Sequence, residues 1–432
     1  MMKPGRPFSM RAYAGISQLA YPVIGPLLAN RRKRGKEDPV RSPERKGQAS
    51  LPRPDGPLIW LHGASVGEVV SLLPIAEHFA AKGFALLVTS GTVTSAEVAA
   101  RRLPEGVIHQ YVPLDLPAYV KRFLAHWKPD IGVFAESELW PNLIHAAHAQ
   151  GTHLIIVNAR MSERSFKRWK RLPAFITAML ARFELVLAQT EADAERLRIL
   201  GAPRVQAIGN LKYDVTPPPA EPQKLSVIQQ VAKGRPVFVA ASTHPGEEEL
   251  IAAAHRLARE KLPGLLTILI PRHPDRGLEI SEMIFRTGLS VCRRADAAVP
   301  DRHTDIYVAD TIGELGIFYR LGQLTYLGGS LVPRGGQNPI EPAKLGNAIL
   351  HGPHVHNFTE VYDSLAQGQG AFEVTDAEML AASIARLLQN PSLLKSMAAA
   401  ASDCVTKLTG ANQRTIHALE PLLMQVHLEQ NG

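Results

Sequence analysis

"LIWLHGASVGEVVSLLPIAEHFAAKGFALLVTS", Leu58 to Ser90, is the stretch whose periodicity decides the fold. A short apolar run ends at His62-Gly63, a helical pattern follows from Val66 to Lys82 and closes at Gly83, and "FALLVTS" begins a second apolar run. Strands with near-continuous apolar runs are buried on both faces, and a helix between two of them makes the βαβ unit of a parallel sheet. The same alternation extends outward. "DIGVFAE" precedes a helical pattern from Trp140 to Gln150 that closes at Gly151, and "HLIIVNA" and "FELVLAQ" come next.

"YDVTPPPAEPQ", Tyr213 to Gln223, interrupts the series with four prolines that no helix interior or central strand accepts. The alternation then restarts with "PVFVAAS", a helix from Glu247 to Lys261, "LTILIPRH", a helix around Leu278–Thr287, "DIYVAD", "LTYLGG" and "AILHGP". A last helical stretch runs from about Ser402 to the end of the chain. The expected fold is α/β, with two Rossmann-like doubly wound domains at residues 54–216 and 226–432. Residues 217–225 form the linker, and the last helix is a candidate to pack back on the first domain. In such folds the ligand lies at the carboxyl ends of the strands, here on a cleft shared by both domains.

The net charge of +8 belongs to one end of the chain. Residues 1–53 hold twelve Lys/Arg against three Asp/Glu, and the remaining 36 against 37 leave a neutral body. A nucleic-acid surface would spread its basic residues over a folded face, so no nucleic-acid partner is expected. Two cysteines, Cys292 and Cys404, are too few for a disulfide framework. Residues 1–53 read as a membrane-associating segment and basic linker. "AYAGISQLAYPVIGPLLA", Ala12 to Ala29, is apolar, and Arg31, Arg32, Lys33, Arg34 and Lys36 follow it directly. That order suits spanning or interfacial attachment with the basic run on the cytoplasmic side against anionic lipid. "EDPVRSPERKGQASLPRPDGP" reads as a polar, proline-punctuated linker.

Candidate chemistry is sought at the strand ends. Ser65 and Glu68 in "HGASVGEV" fit a capping box, so Glu68 serves either as a helix cap or as a general base. Glu136 and Glu138 follow the strand "DIGVFAE", and Lys212 stands in "GNLKYD". In the second half Arg272 and His273 lie at a strand end, where arginine suits a phosphate fork. Glu247, Glu248 and Glu249 most simply complement a helix dipole. Gly313, Glu314 and Leu315 stand where backbone groups could read a base edge.

"LGGSLVPRGGQNPIEPAKLG", Leu327 to Gly346, has two glycine pairs before a helix expected from Asn338. Asn338 fits the N-cap, Pro339 the first helical position and Glu341 the third, an arrangement that suits an anion. Glu341 is either part of that cap or a ribose ligand. No Walker lysine follows, so a P-loop is excluded. His351, His354 and His356 have no acidic or cysteine neighbour in sequence, and no metal site is expected from them.

Eight segments, in order, resemble the Kdo transferases, inverting glycosyltransferases that attach 3-deoxy-D-manno-octulosonic acid (Kdo) to lipid A precursors. They are "HGASVGE", "ESELWPN", "NARMSERS", "GNLKYD", "STHPGEEE", "PRHPDR", "DTIGELGIFY" and "GGSLVPRGGQNPIEPA". The resemblance implies a GT-B architecture and an N-terminal membrane anchor at the cytoplasmic face of the inner membrane. It implies CMP-Kdo as donor, a lipid A precursor as acceptor, and no metal or other cofactor. Glu68 matches the catalytic base, which takes the proton of a glucosamine 6′-hydroxyl, and Glu138 and Lys212 match residues that support the transition state. Pro271, Arg272, the turn Ile312, Gly313, Glu314 and Leu315, and Asn338, Pro339, Ile340 and Glu341 match the CMP site. One departure is Gln337, where the family pattern has histidine. The alternatives are another GT-B enzyme using a UDP-sugar and a non-catalytic nucleotide-binding protein at the membrane.

Overall fold

The structure, a computed structural model, describes residues 7–214 and 216–431. Residues 1–6, the start of the expected membrane-associating segment, lie outside them. The chain forms two compact units, Met1–Asp214 with Thr409–Gly432, and Val215–Leu408.

The first unit holds strands β1 (Leu58–His62), β2 (Ala85–Ser90), β3 (Ile108–Tyr111), β4 (Ile131–Ala135), β5 (His153–Ala159), β6 (Phe183–Ala188) and β7 (Val205–Ala207). They make one sheet in the order β3-β2-β1-β4-β5-β6-β7, and every pairing is parallel. Every residue of β1 and β4 is buried, as their unbroken apolar runs require. Alternate residues of β1 serve opposite faces. Trp60 packs with Phe123, Trp127 and Phe134, whereas Ile59 and Leu61 pack with Leu72, Ile75 and Phe79 of the helix Val66–Ala81. The strand order reverses at β1, which brings the loops after β1 and β4 together.

The second unit holds β8 (Val237–Thr243), β9 (Leu266–Pro271), β10 (Val291–Arg293), β11 (Ile306–Val308), β12 (Leu324–Leu327), β13 (Ala348–His351) and β14 (Ala371–Glu373). Their order is β10-β11-β9-β8-β12-β13-β14, again parallel throughout. Phe238, Ile251, Leu269, Ile284, Tyr326, Leu350 and Ile384 lie in its main core cluster.

Several sequence expectations change here. The last helical stretch is two helices, Pro391–Leu408 in the second unit and Ala411–Asn431 in the first. Leu419, Leu423 and Val426 of the latter join the core face of Leu61 and Ile75. The carboxylate of Asp214 accepts from the N–H groups of Gly410 and Asn412 and so caps this helix. Pro222 opens the helix Pro222–Ala232, because a helix's first position has no N–H to satisfy. The preceding prolines press on the helix Leu315–Tyr319, where a Cβ on Gly316 would meet the carbonyls of Pro218 and Pro219 at 2.3 and 2.1 Å.

The expected linker after Lys36 is instead packed structure. Glu44, 1% exposed, accepts the N–H of Tyr111 at 2.8 Å, and Arg45 donates to the Val112 carbonyl at 2.6 Å. Arg41 grips Glu44 through two hydrogen bonds of 2.9 Å and donates to the His109 carbonyl at 2.8 Å. These side chains cover the open edge of β3, which composition alone does not reveal. The apolar segment before them folds as two helices, Phe8–Leu19 and Tyr21–Lys33. At about 1.5 Å per residue neither approaches the roughly 30 Å of a hydrocarbon core. Among the described residues no helix is long and apolar enough to cross a membrane.

Candidate active site

The loop after β1 turns directly into the helix Val66–Ala81, with Ser65 as its N-cap. Glu68 is 8% exposed. Its Oε1 accepts the Ser65 hydroxyl at 2.6 Å and its Oε2 accepts the N–H of Ala64 at 2.8 Å, while the Ser65 hydroxyl accepts the N–H of Glu68 at 3.4 Å, an N-cap in which the carboxylate reaches one residue beyond the capping-box position. Burial pushes the Glu68 carboxyl above its ordinary pKa, and repulsion from Glu138 and Glu136 adds to the rise. The hydrogen bonds from Ser65 and Ala64 oppose it without cancelling it. Of the two readings of this residue, the cap is thus observed, and the raised pKa suits a base as well.

Glu136 and Glu138 follow β4 on an irregular turn. Glu136 sits in the left-handed region at φ 57°, a conformation that costs a non-glycine residue energy and gathers at functional sites. Lys212 pairs with Glu136, not with Glu138. Lys212 is positioned by a short 3₁₀ turn, Leu211–Tyr213, whose N–H groups donate to Asn158 and Asn210 at 3.0 Å. Gly67 leaves room beside it, since a Cβ there would lie 3.5 Å from the lysine Nζ.

Glu138 takes the indole N–H of Trp140 at 2.7 Å and lies 3.7 Å from His62 Nε2. Burial raises its pKa, but the nearby His62 ring and the bond from Trp140 outweigh burial and the carboxyl falls below its ordinary value. The sequence placed Glu68, Glu136, Glu138 and Lys212 at strand ends. It did not reveal the partner of each, because Glu136 and Glu138 differ only by which way one turn points them. His62 and Trp140 were missed as neighbours, although both stand inside the quoted motifs.

In the second unit the glycine-rich loop holds an anion that belongs to the protein. The buried carboxylate of Glu247 accepts the N–H groups of Gly329, Ser330 and Leu331 at 2.7, 3.1 and 3.0 Å, that of His244 at 2.9 Å, and the Tyr326 hydroxyl at 2.6 Å. This corrects the expectation that Glu247 only complements a helix dipole. Gly328 is required here, because a Cβ would stand 2.3 Å from the Ser242 carbonyl. The helix after the loop begins at Ile340, not Asn338, and is five residues long. Asn338 stands one residue before the Pro339 cap, and its Oδ1 accepts the N–H of Ile340 at 3.0 Å. Too short for a substantial dipole, this helix is a weaker anion site than the sequence suggested.

Positive charge near the loop comes from side chains. A Cβ on Gly329 would meet His244 at 3.1 Å and Arg334 at 3.3 Å, and the His244 and His273 rings lie 6.1 Å apart. Burial, helped by the charges of His273, Arg334 and Arg272, lowers the pKa of His244 despite Glu247. Arg272 is exposed and follows the buried Pro271 at the end of β9. Gln337, in the place of the family histidine, lies 3.2 Å from His244 Nε2 and accepts the Tyr362 hydroxyl at 2.7 Å through its carbonyl. Glu341, half-buried, has a long contact of 3.5 Å from Asn338, and burial pushes its pKa up.

The Ile312–Leu315 turn exposes Ile312 and Gly313. Glu314 is tied down by Arg294 through bonds of 2.5 and 2.8 Å, by Thr311, and by Lys224 at 3.3 Å. The Arg294 bond pushes its pKa down to about 2. A cavity of about 330 Å³ lies beside it, lined in part by Lys224, Ile228, Arg294 and Val299.

Two parallel, Rossmann-like α/β units with candidate residues at strand ends make the GT-B fold. Solved structures with this fold include a glycosyltransferase from Rickettsia africae, at a TM-score of 0.55 and 14% identity over 86% of this chain and 99% of that one. MurG of Acinetobacter baumannii matches at 0.53 and 14%, over 85% and 100%. At such identities they bear on the fold alone. Residues 40–215 match the family model described as 3-deoxy-D-manno-octulosonic-acid transferase (kdotransferase). The transferase of that name from Haemophilus influenzae is 33% identical over 87% of this chain and 89% of its own length. The one from Bordetella pertussis is 34% identical over 95% and 99%. A probable mitochondrial one from Arabidopsis thaliana is 35% identical over 93% of each. The chain belongs to the 3-deoxy-D-manno-octulosonic acid transferase family.

Proposed function

We propose that this enzyme moves Kdo from CMP-Kdo to the 6′-hydroxyl of a lipid A precursor by a single inverting displacement. The observation that carries the reading is Glu68, a buried carboxylate at a strand end, raised in pKa and facing two further carboxylates. As general base it takes the proton of the acceptor hydroxyl as the new glycosidic bond forms. Glu138 and the Lys212–Glu136 pair supply charge around the developing transition state. The bond to the nucleotide breaks with CMP leaving as a phosphate monoester anion, so departure needs positive charge more than an acid. Arg272 is the phosphate ligand in this scheme, with His244, His273 and Arg334 nearby, and no metal or other cofactor takes part.

The turn Ile312–Leu315, exposed at Ile312 and Gly313, suits the base edge. Asn338–Glu341 suits the ribose, because the Glu341 carboxylate has lone pairs to accept hydroxyl donors. Arg272→Gln should therefore weaken CMP binding by about 10–100-fold, the range of a lost charge-assisted hydrogen bond. Calorimetric titration with CMP, beside a donor assay comparing CMP-Kdo with UDP-sugars, measures both parts. Unchanged CMP affinity, or turnover of a UDP-sugar alone, overturns this donor site.

The reading also predicts a pH profile. The base must be ionised, so kcat/KM should fall as pH falls through the Glu68 pKa, above the ordinary carboxylate range. Glu138→Gln removes a repelling charge, lowers the Glu68 pKa, and should move the acid limb of the residual activity to lower pH. A limb that stays in place or moves up contradicts the coupling.

For the acceptor side, Phe8, Ile16, Leu19, Val23 and Leu27 are exposed on the two N-terminal helices, beside the basic run Arg31–Lys36. Apolar side chains with adjacent cations suit helices lying in the lipid interface at the cytoplasmic face of the inner membrane.

A further inference from the structure

His62, the last residue of β1, is wholly buried. Its Nδ1 lies 2.9 Å from Thr89 Oγ1 and 3.3 Å from the Thr89 carbonyl. Thr89 Oγ1 already accepts the indole N–H of Trp60 at 2.8 Å. The hydroxyl keeps its own proton to give to His62 Nδ1, and of the two tautomers only the one that accepts there sets a donor, not a lone pair, beside the Glu138 carboxylate. An imidazole that accepts at Nδ1 carries its proton on Nε2. This nitrogen makes no hydrogen bond and stands 3.7 Å from Glu138 Oε2.

The other near neighbours of the ring are aromatic, with Phe134 at 5.5 Å and Trp60 at 6.3 Å between centroids. The Glu138 carboxylate is thus the acceptor toward which a buried N–H is left pointing. Glu138 stands on an irregular turn and has the Trp140 indole on the same oxygen. Two donors from different strand ends would set the plane of a carboxylate that no helix or strand holds.

We infer that His62 is a positioning residue for Glu138, donating from Nε2 through a Trp60–Thr89–His62–Glu138 chain; this rests on the role proposed for Glu138 above. At 3.7 Å the last link is open, and it closes to hydrogen-bond length as substrates bind, as links of this kind commonly do. No proton leaves His62 in the reaction.

The test uses the full chain and three variants, with thermal unfolding recorded for each. His62→Gln places an amide N–H where Nε2 was, and His62→Asn reaches only as far as Nδ1 and keeps the Thr89 bond alone. Loss of carboxylate positioning should lower kcat in His62→Asn by about 100-fold, with His62→Gln recovering most of it at similar stability. Equal loss in both, or wild-type kcat in His62→Asn, overturns the inference. Glu138→Gln run alongside separates the layers, because wild-type transfer there overturns the role of Glu138 itself.

Nitrogen-15 spectra of histidine-labelled protein give a readout independent of activity. The chain has 16 histidines, so the His62 signal is identified by its absence from His62→Gln. A proton on Nε2 is expected, and protonation on Nδ1 alone overturns the chain of donors.

Discussion

Replacing Glu68 with glutamine is expected to lower Kdo transfer by about two to four orders of magnitude, the usual contribution of a general base, without unfolding the first unit. The geometry makes the substitution informative. Glutamine can still accept the N–H of Ala64 with its oxygen, and the Ser65 hydroxyl can rotate to accept from the amide, so both capping bonds persist. Only the proton acceptor is lost. Glu68→Ala serves as the contrast, since it removes base and cap together and should also cost about 1 kcal/mol of stability. Transfer from CMP-Kdo to a tetra-acylated lipid A precursor, measured beside the unfolding midpoint, decides the matter. If Glu68→Gln transfers like the wild type, the residue is a cap alone and Glu138 is the next candidate.

The largest effect on stability is expected at Glu247. Its Oε1 accepts Tyr326, Ser330 and Leu331, and its Oε2 accepts Gly329 and His244. Glu247→Gln must turn an amide NH₂ toward at least two buried donors, whichever way the amide is set. Losing those bonds in a water-free site should cost about 3–5 kcal/mol, near the cost of breaking a buried charged network. Urea unfolding followed by tryptophan-independent circular dichroism gives the midpoint, and hydrogen exchange at Gly329–Leu331 reports the loop directly. An unchanged midpoint with protected amides would show that the loop holds its shape without the carboxylate. Because the loop neighbours the proposed donor site, donor KM should rise in the same variant.

Much of the architecture was legible in the sequence because the physical signal is local and strong. Leu58–Leu61 and Ile131–Ala135 are apolar on consecutive residues, and a strand buried on both faces needs that pattern. Pro217 to Pro219 break any regular element, and the chain does pass between units just before them. The second crossing, near Thr409, carries no such mark. Only Gly410 and the new helix after it show it, and the reason is the tertiary cap from Asp214, 196 residues earlier. The segment Glu37–Arg53 was misread as a linker because its prolines and charges look alike whether they face water or the edge of a strand.

For the site, motif spacing located the residues and left their partners open. Glu68 could be placed on a helix start from Ser65 alone, since a capping box spans three residues. That Lys212 belongs with Glu136, that Glu138 belongs with Trp140 and stands near His62, and that the glycine loop closes around Glu247 all depend on side chains brought together by strand order. By itself the sequence determined which segments are strands and helices, that they alternate in two series, and which charged residues stand at strand ends. Those properties follow from periodicity and from the chemistry of near neighbours. Only the tertiary structure decided which carboxylate is buried, which is paired and which is left with raised pKa. Burial and pairing are set by groups tens of residues apart, and no local pattern records them.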